Sequence, residues 1–445
     1  VDSSDAAGIQ RIYFTISGLY TLAASLIWGV NTLFLLDAGL NLFETFVANA
    51  FFTAGMVIFE IPTGVFADTR GRRFSFMVSN ATVALGTLGY VWAAAAGAGV
   101  ITFSLISVFL GLGYTFYSGA VEAWLVDALQ ARGFEGNLDS VFARGGIVTG
   151  AAMLIGTVGG GLLGDINLAV PFVVRAVLLI VGLVVAAWGM RDLGFSPRTL
   201  RLTTVPAEMA KVARESIAGS WRVPAIRRFL GVSVIEVGVL FWAWYAWQPY
   251  ILELAAMDAV WLAGVVAAIA ALSIMAGNAL VSFFSRYCTK RTTLLVWAHA
   301  VRAAALVGFG LVDNPVLAVA VFSLVGASLG VAGPVKQAYL HQVIATEQRA
   351  SVISFDSMVG NIGGVGGQIG LGALSNAVSI PAGYVTCGAV QILSVPLILA
   401  IRRLQDSVDH ITGTKAGVDS SCAAQGLPEV TGIDSKVYQP AAVGD

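Results

Sequence analysis

Charge is what this 445-residue chain has least of: 11% of its residues are charged against 57% hydrophobic, and the mean hydropathy is +0.82. A soluble domain carries roughly a quarter charged residues, so that class is excluded and an integral membrane protein is indicated. Cysteine is nearly as scarce. Cys288, Cys387 and Cys422 fall in a loop, a late apolar run and a polar tail, which offers neither metal-ligand spacing nor a disulfide framework. The glycine-rich runs lack the Lys-Ser pair of a phosphate-binding loop. No nucleophile, metal cluster or extramembrane catalytic domain stands out, so neither enzyme activity, cofactor nor metal is expected. A net charge of -1 gives no pull toward nucleic acid. A cleavable leader is not expected, because the first apolar run exceeds the roughly 7–15 residues of a signal core and more runs follow it.

Long apolar runs are abundant. They lie at 12–36, 43–66, 75–96, 100–130, 141–163 and 168–189, then at 228–252, 260–285, 292–312, 315–343, 351–375 and 380–402. Each supplies roughly the 20 residues that cross about 30 Å of hydrocarbon. Alternate loops carry all the nearby basic residues: Arg70, Arg72 and Arg73; Arg132; the stretch from Arg191 to Arg228; Arg286, Lys290 and Arg291; Arg349; Arg402 and Arg403. The loops near Leu40, Ala98, Asp165, Met257, Asn314 and Asn376 carry none. That partition requires an even number of spans and predicts both termini in the cytoplasm of a multi-pass cell-membrane protein. The expected organisation is an arm at 1–11, six spans within 12–190, a basic linker at 191–227 with an amphipathic helix from Pro206 to Trp221, six spans within 228–403, and a disordered tail at 404–445.

The two halves are weakly related. Ala123-Trp124-Leu125 aligns with Ala338-Tyr339-Leu340, Asn31 with Gln248, and Gly64 to Arg73 with Ser282 to Arg291, all at nearly one offset. Two parallel six-helix repeats would produce this. Between spans 2 and 3 stands Gly64-Val65-Phe66-Ala67-Asp68-Thr69-Arg70-Gly71-Arg72-Arg73, where Gly71 would allow the chain to reverse and Gly64 would let a neighbouring helix approach. The pattern G-x-x-x-D-x-x-G-R-R at this place resembles the signature loop of the major facilitator superfamily of secondary transporters. Phe59-Glu60-Ile61-Pro62-Thr63 before it resembles the drug-exporter-like branch. Two departures are plain: span 5 lacks the Gly-Pro step of drug antiporters, and Thr115 stands where many have an arginine in span 4.

The resemblance implies an all-α membrane protein of twelve transmembrane helices in two pseudo-symmetric bundles. It also implies a conformational gate at Gly64, Asp68, Arg70, Gly71, Arg72 and Arg73, joined by Asp127 from span 4. From depth alone Asp127 could instead pair with Arg144. Spans 1, 4, 7 and 10 line the cavity in that superfamily, so Glu122, Glu236 and Lys336 would face it, with Asp356 close by. Buried carboxyls beside a lysine can be poised to exchange protons, which makes Glu122, Asp356 and Glu236 the proton-coupling candidates. A static ion pair of Lys336 with Glu122 or Asp356 is the simpler alternative.

Helical spacing puts Phe241, Trp244, Tyr245 and Gln248 on one face of span 7, where Pro249 can loosen the helix, although Trp242, Trp247 and Tyr250 also fit an interfacial belt. With Trp28 and Asn31 opposite, and Tyr114 and Tyr117 on span 4, these form the expected substrate wall, Lys336 supplying a charge. Arg175 reads as snorkelling from about 10 Å depth, and Arg302, near the middle of span 9, has no partner legible in the sequence. The glycines of spans 5 and 11 fit closely packed, sliding helices. The expected function is proton-coupled efflux of a small hydrophobic or amphiphilic compound by a monomer in the lipid bilayer. Transport of a metabolite or anion is the alternative, and a lipid-handling protein or membrane enzyme the reading from another class.

Overall fold

The structure is a computed structural model that describes residues 3–195, 223–257, 259–344, 349–405 and 407–411, with Arg214, Ile217 and Trp221. The linker helix expected from Pro206 to Trp221 and the tail from residue 412 onward lie essentially outside the described residues. Hydrocarbon offers the backbone no hydrogen-bond partner, so the chain satisfies its own N–H and C=O groups in helices. The first bundle comprises α1 (Ser3–Ser25) with α2 (Asn31–Asp37), α3 (Leu42–Arg70), α4 (Arg72–Ala95), α5 (Val100–Tyr117) with α6 (Ala120–Ala131), α7 (Leu138–Ile166) and α8 (Val170–Gly189). The second comprises α9 (Pro224–Ala255), α10 (Val260–Phe284), α11 (Arg291–Leu311), α12 (Pro315–Val343), α13 (Arg349–Ala377), and α14 (Ile380–Gln391) with α15 (Ser394–Arg402).

These make twelve spans, ten of which are long and apolar enough to cross a membrane by composition alone. The other two, α1 and α13, owe their lower hydropathy to polar and small residues, and both are packed between neighbouring helices: α1 on α7 and α8, α13 on α9 and α3. Three spans expected to be continuous are broken, the first at 26–30, the fourth at Ser118-Gly119 and the last at Ile392-Leu393. Gly119 takes φ +71°, a value that a side chain resists. The signature stretch is shorter than a loop: α3 runs through Arg70, α4 begins at Arg72, and the reversal is made by Gly71 at φ +101°.

The helix starts that follow this turn and its repeat are closed by the same device. Arg73 N donates to Asp192 Oδ1 (2.9 Å), just beyond span 6, while the Arg73 guanidinium donates to Ala187 O. In the second half Thr292 N donates to Asp409 Oδ1 (2.8 Å), Thr292 Oγ1 donates to Asp409 Oδ2 (2.7 Å), and the Arg291 guanidinium donates to the carbonyls of Val408 and His410. Each aspartate satisfies an N–H left free in the first turn of a helix, α4 in one bundle and α11 in the other. Residues 407–411 therefore belong to the second bundle, correcting their assignment to a disordered tail that starts at 404.

The two cores differ. The first bundle holds one continuous apolar cluster containing Ile16, Phe34, Phe76, Trp124 and Leu125. In the second, one cluster with Trp242, Trp247, Phe309 and Tyr384 lies toward the charge-poor face, and another with Phe229, Leu295, Tyr339 and Ile398 toward the arginine-rich face. Trp242, Trp247 and Tyr250 are thus core residues, not an interfacial belt. Phe46 of α3 inserts into the second bundle's upper cluster. Between bundles α7 and α10 touch backbone to backbone, because a Cβ at Gly264 would strike Thr157 O.

Candidate functional site

Among the described residues every hydrogen bond between the bundles lies at mid-depth or nearer the charge-poor face. The break in span 1 is its centre. Gln248 of α9 accepts from Thr32 N (2.9 Å) and donates to Trp28 O (2.8 Å), so a single side-chain amide serves two backbone groups at the break. Pro249 has no N–H, which frees the carbonyl of Tyr245 four residues back, and Thr32 Oγ1 donates to it at 3.0 Å. Val260 N donates to Asp165 Oδ1 (3.0 Å) and Thr53 Oγ1 to Gln368 Oε1 (3.2 Å). The chain is therefore closed at the charge-poor face. Gln248, expected in the substrate wall, is instead a fully buried part of this seal.

Below the seal lies a cavity of about 430 Å³, within the size range of small-molecule sites. Its lining includes Trp28, Asn31, Tyr114, Phe241, Trp244 and Tyr245, which sequence reasoning had placed there, from both bundles. Tyr20, Asn49, Phe52, Tyr90, Phe172 and Arg175 were not anticipated. Besides Gln248, two expected residues are elsewhere: Tyr117 stacks on Tyr20 with ring centroids 3.7 Å apart, behind the lining, and Lys336 is bound to Asp356.

Arg175 is the sole charged side chain lining this cavity among the described residues. Among the described residues its Nε is buried without a hydrogen-bond partner, it forms no ion pair, and the groups within its electrostatic reach are Tyr20, Tyr90 and Tyr245. It points inward, so the snorkelling reading is replaced. Asn31 Nδ2 donates to Asn49 Oδ1 (3.1 Å), and the amide nitrogen of Asn49 is likewise buried with no acceptor.

In the second bundle the mid-membrane cations Arg302 and Lys336 are paired. Arg302, fully buried, forms an ion pair with Glu236, and its Nε donates to Ser328 Oγ (3.1 Å). Glu236 is thus removed from the cavity and supplies the partner that the sequence could not name. Lys336 Nζ lies 2.7 Å from Asp356 Oδ2 and donates to Ser233 Oγ, while Ser233 Oγ lies 2.6 Å from Asp356 Oδ1. His299, Gln391 and Ser394 complete a polar layer across the bundle. These are the groups that divide its core in two.

Glu122 behaves differently from expectation. It is exposed on the first turn of α6, toward the arginine-rich side of the cavity, within electrostatic reach of Tyr13, Tyr114 and Tyr117. Asp68 bonds Arg72 one helical turn on (3.0 Å), but Asp127 pairs with neither Arg72 nor Arg144, and Arg144 is exposed. A Cβ at Gly64 would meet nothing within 4 Å, so no helix approaches there in this state. The contact found at the turn is Asp192 against Gly71, from a residue that no motif marks.

A family model described as Major Facilitator Superfamily matches residues 13–368. Among solved structures the chain is similar to the nucleoside transporter NupG, at 14% identity and a TM-score of 0.72, over 89% of this chain and 99% of that one. It is similar to a POT family transporter in complex with thioalcohol conjugated peptide (12%, TM-score 0.68, 89% and 96%) and to a D-xylose-proton symporter (12%, TM-score 0.64, 88% and 97%). At such identities these likenesses concern the fold. No curated protein sequence matches.

Proposed function

The chain belongs to the major facilitator superfamily, a family of transporters rather than enzymes, and from that premise we propose that it carries a small organic solute by alternating access, with protons as the coupling ion. The observation that carries this reading is the cavity shared by both bundles beneath a polar seal on the charge-poor face. Rocking of one repeat against the other would break that seal and close the opposite side around the same site. The arginine-rich face is assigned to the cytoplasm by the loop charges, which makes this the inward-facing state.

Proton coupling is assigned to Glu122. It is the carboxylate of the three candidates left without a cationic partner, since Glu236 is held by Arg302 and Asp356 by Lys336. The solved relatives are named for nucleosides, a peptide conjugate and xylose, so a drug-exporter assignment is not carried forward from the motif. In proteoliposomes with an imposed pH gradient, wild type should take up a solute from a test panel in a gradient-dependent way, and Glu122→Gln should lose the dependence. Unchanged pH dependence in Glu122→Gln would remove the proton role.

A further inference from the structure

We propose that the cavity selects organic anions with an aromatic or apolar body, and that Arg175 receives their acid group. This rests on the transport reading for the purpose of the site, while its chemistry follows from the cavity itself. A guanidinium inside a membrane protein is ordinarily met by an acid, as Arg302 is met by Glu236. Arg175 lines the cavity with no carboxylate beside it, and its Nε has no acceptor. A second orphan belongs to another residue of the cavity lining: the Asn49 amide nitrogen, whose oxygen is already engaged by Asn31.

Both unsatisfied groups on residues that line the cavity are donors, and neither has an acceptor among the described residues. A buried donor without a partner is costly, so its natural complement is a ligand oxygen. A carboxylate suits a guanidinium best, because two oxygens can accept from its planar fork at once. Tyr20, Tyr90 and Tyr245 line the same cavity, the Tyr90 hydroxyl being already engaged by Ser107 Oγ.

The remaining wall excludes an inorganic ion as the fitting occupant. Trp28, Phe52, Phe172, Phe241 and Trp244 give it aromatic surface, and a bare anion would leave that surface wet in a space of about 430 Å³. An aromatic acid fills the volume and meets the donors with one end. Lys336, the cation that the resemblance and its depth favoured for this role, is engaged by Asp356 and Ser233.

The test uses pairs of equal shape and different charge. Naphthalene-2-carboxylate and naphthalene-2-carboxamide are titrated against the detergent-purified full-length protein by equilibrium dialysis, with benzoate and indole-3-acetate as smaller and longer acids. Wild type should bind the best carboxylate at least tenfold more tightly than the amide. Arg175→Gln should reduce that preference to within twofold, Arg175→Lys should keep part of it, and Asn49→Ala should weaken the carboxylate severalfold. Equal affinities in wild type, no binding of any carboxylate, or a preference that survives Arg175→Gln would overturn the proposal; if that variant does not fold, Asn49→Ala and Arg175→Lys carry the same test. Counterflow in proteoliposomes separates the two readings. Carboxylate preference without counterflow would leave the anion site standing and remove transport, whereas counterflow of the amide as fast as the acid would leave transport standing and remove the anion site.

Discussion

The two bundles treat buried cations in opposite ways. In the second, Arg302 and Lys336 are each locked to a carboxylate and a serine from neighbouring helices, and the polar layer they form splits the core. In the first, the core is continuous, and its inward-facing cation Arg175 stands at a cavity wall with no acid beside it. A charge placed near the centre of a bilayer costs about 2.5 to 3.5 kcal/mol on insertion scales, so both arrangements require an account. A satisfied pair is a strut between helices, and an unsatisfied group is a place for something that the chain itself does not contain.

That contrast can be broken most severely at Arg302. Arg302→Leu leaves Glu236 as an uncompensated buried charge and should destabilise the protein by about 3–5 kcal/mol, read as a fall in the thermal midpoint in detergent. Adding Glu236→Gln should recover most of the loss, and a single variant as stable as wild type would deny the pair its structural role. Asp356→Asn should cost less, about 2 kcal/mol, because the lysine and aspartate side chains retain 15% and 11% exposure, where the Arg302 side chain has none. The midpoints of the two variants, measured side by side, give the ranking.

The clamps test whether the halves are equivalent where they look alike. Asp192→Ala and Asp409→Ala each remove a side chain that closes a helix start, and each should cost about 1 kcal/mol. A large inequality in chemical or thermal denaturation would show that the repeat is one of shape alone. The smallest stability effect is expected at Arg175. Arg175→Gln should cost nothing and could add about 0.5–1 kcal/mol, since a group kept for a ligand is not optimised for the empty fold. A loss as large as that of Arg302→Leu would place Arg175 among the struts and erase the distinction between the bundles.

The fold was legible because its cause is linear: apolar length and alternating loop charge both run along the chain. The twelve spans and the paired halves follow from them. Site assignment needs a second coordinate. A rise of about 1.5 Å per residue gives depth, which puts Arg302 near the middle of its span. It does not give the direction in which a side chain leaves its helix relative to neighbours far away in sequence. That is why the partner of Arg302 had no name, why Lys336 was turned to the cavity, and why Arg175 was sent outward to the lipid interface. The aromatic face of span 7 was readable because its residues are neighbours on one helix; Asp192 was not, since nothing local distinguishes a linker aspartate that reaches back to Gly71.

The meeting of Gln248 with the interruption at residues 26–30 bears on the ease of switching. When the halves part on that face, Trp28 C=O, Thr32 N–H and Tyr245 C=O do not fall into hydrocarbon, because water enters the opening and takes the place of the amide and hydroxyl that leave. One set of polar partners is exchanged for another, and little net bonding is lost in the exchange. A latch made of interlocked alkyl groups would have to be wetted to open. This one is built so that solvent can substitute for each of its parts, which lets two arrangements of the same chain lie close in free energy.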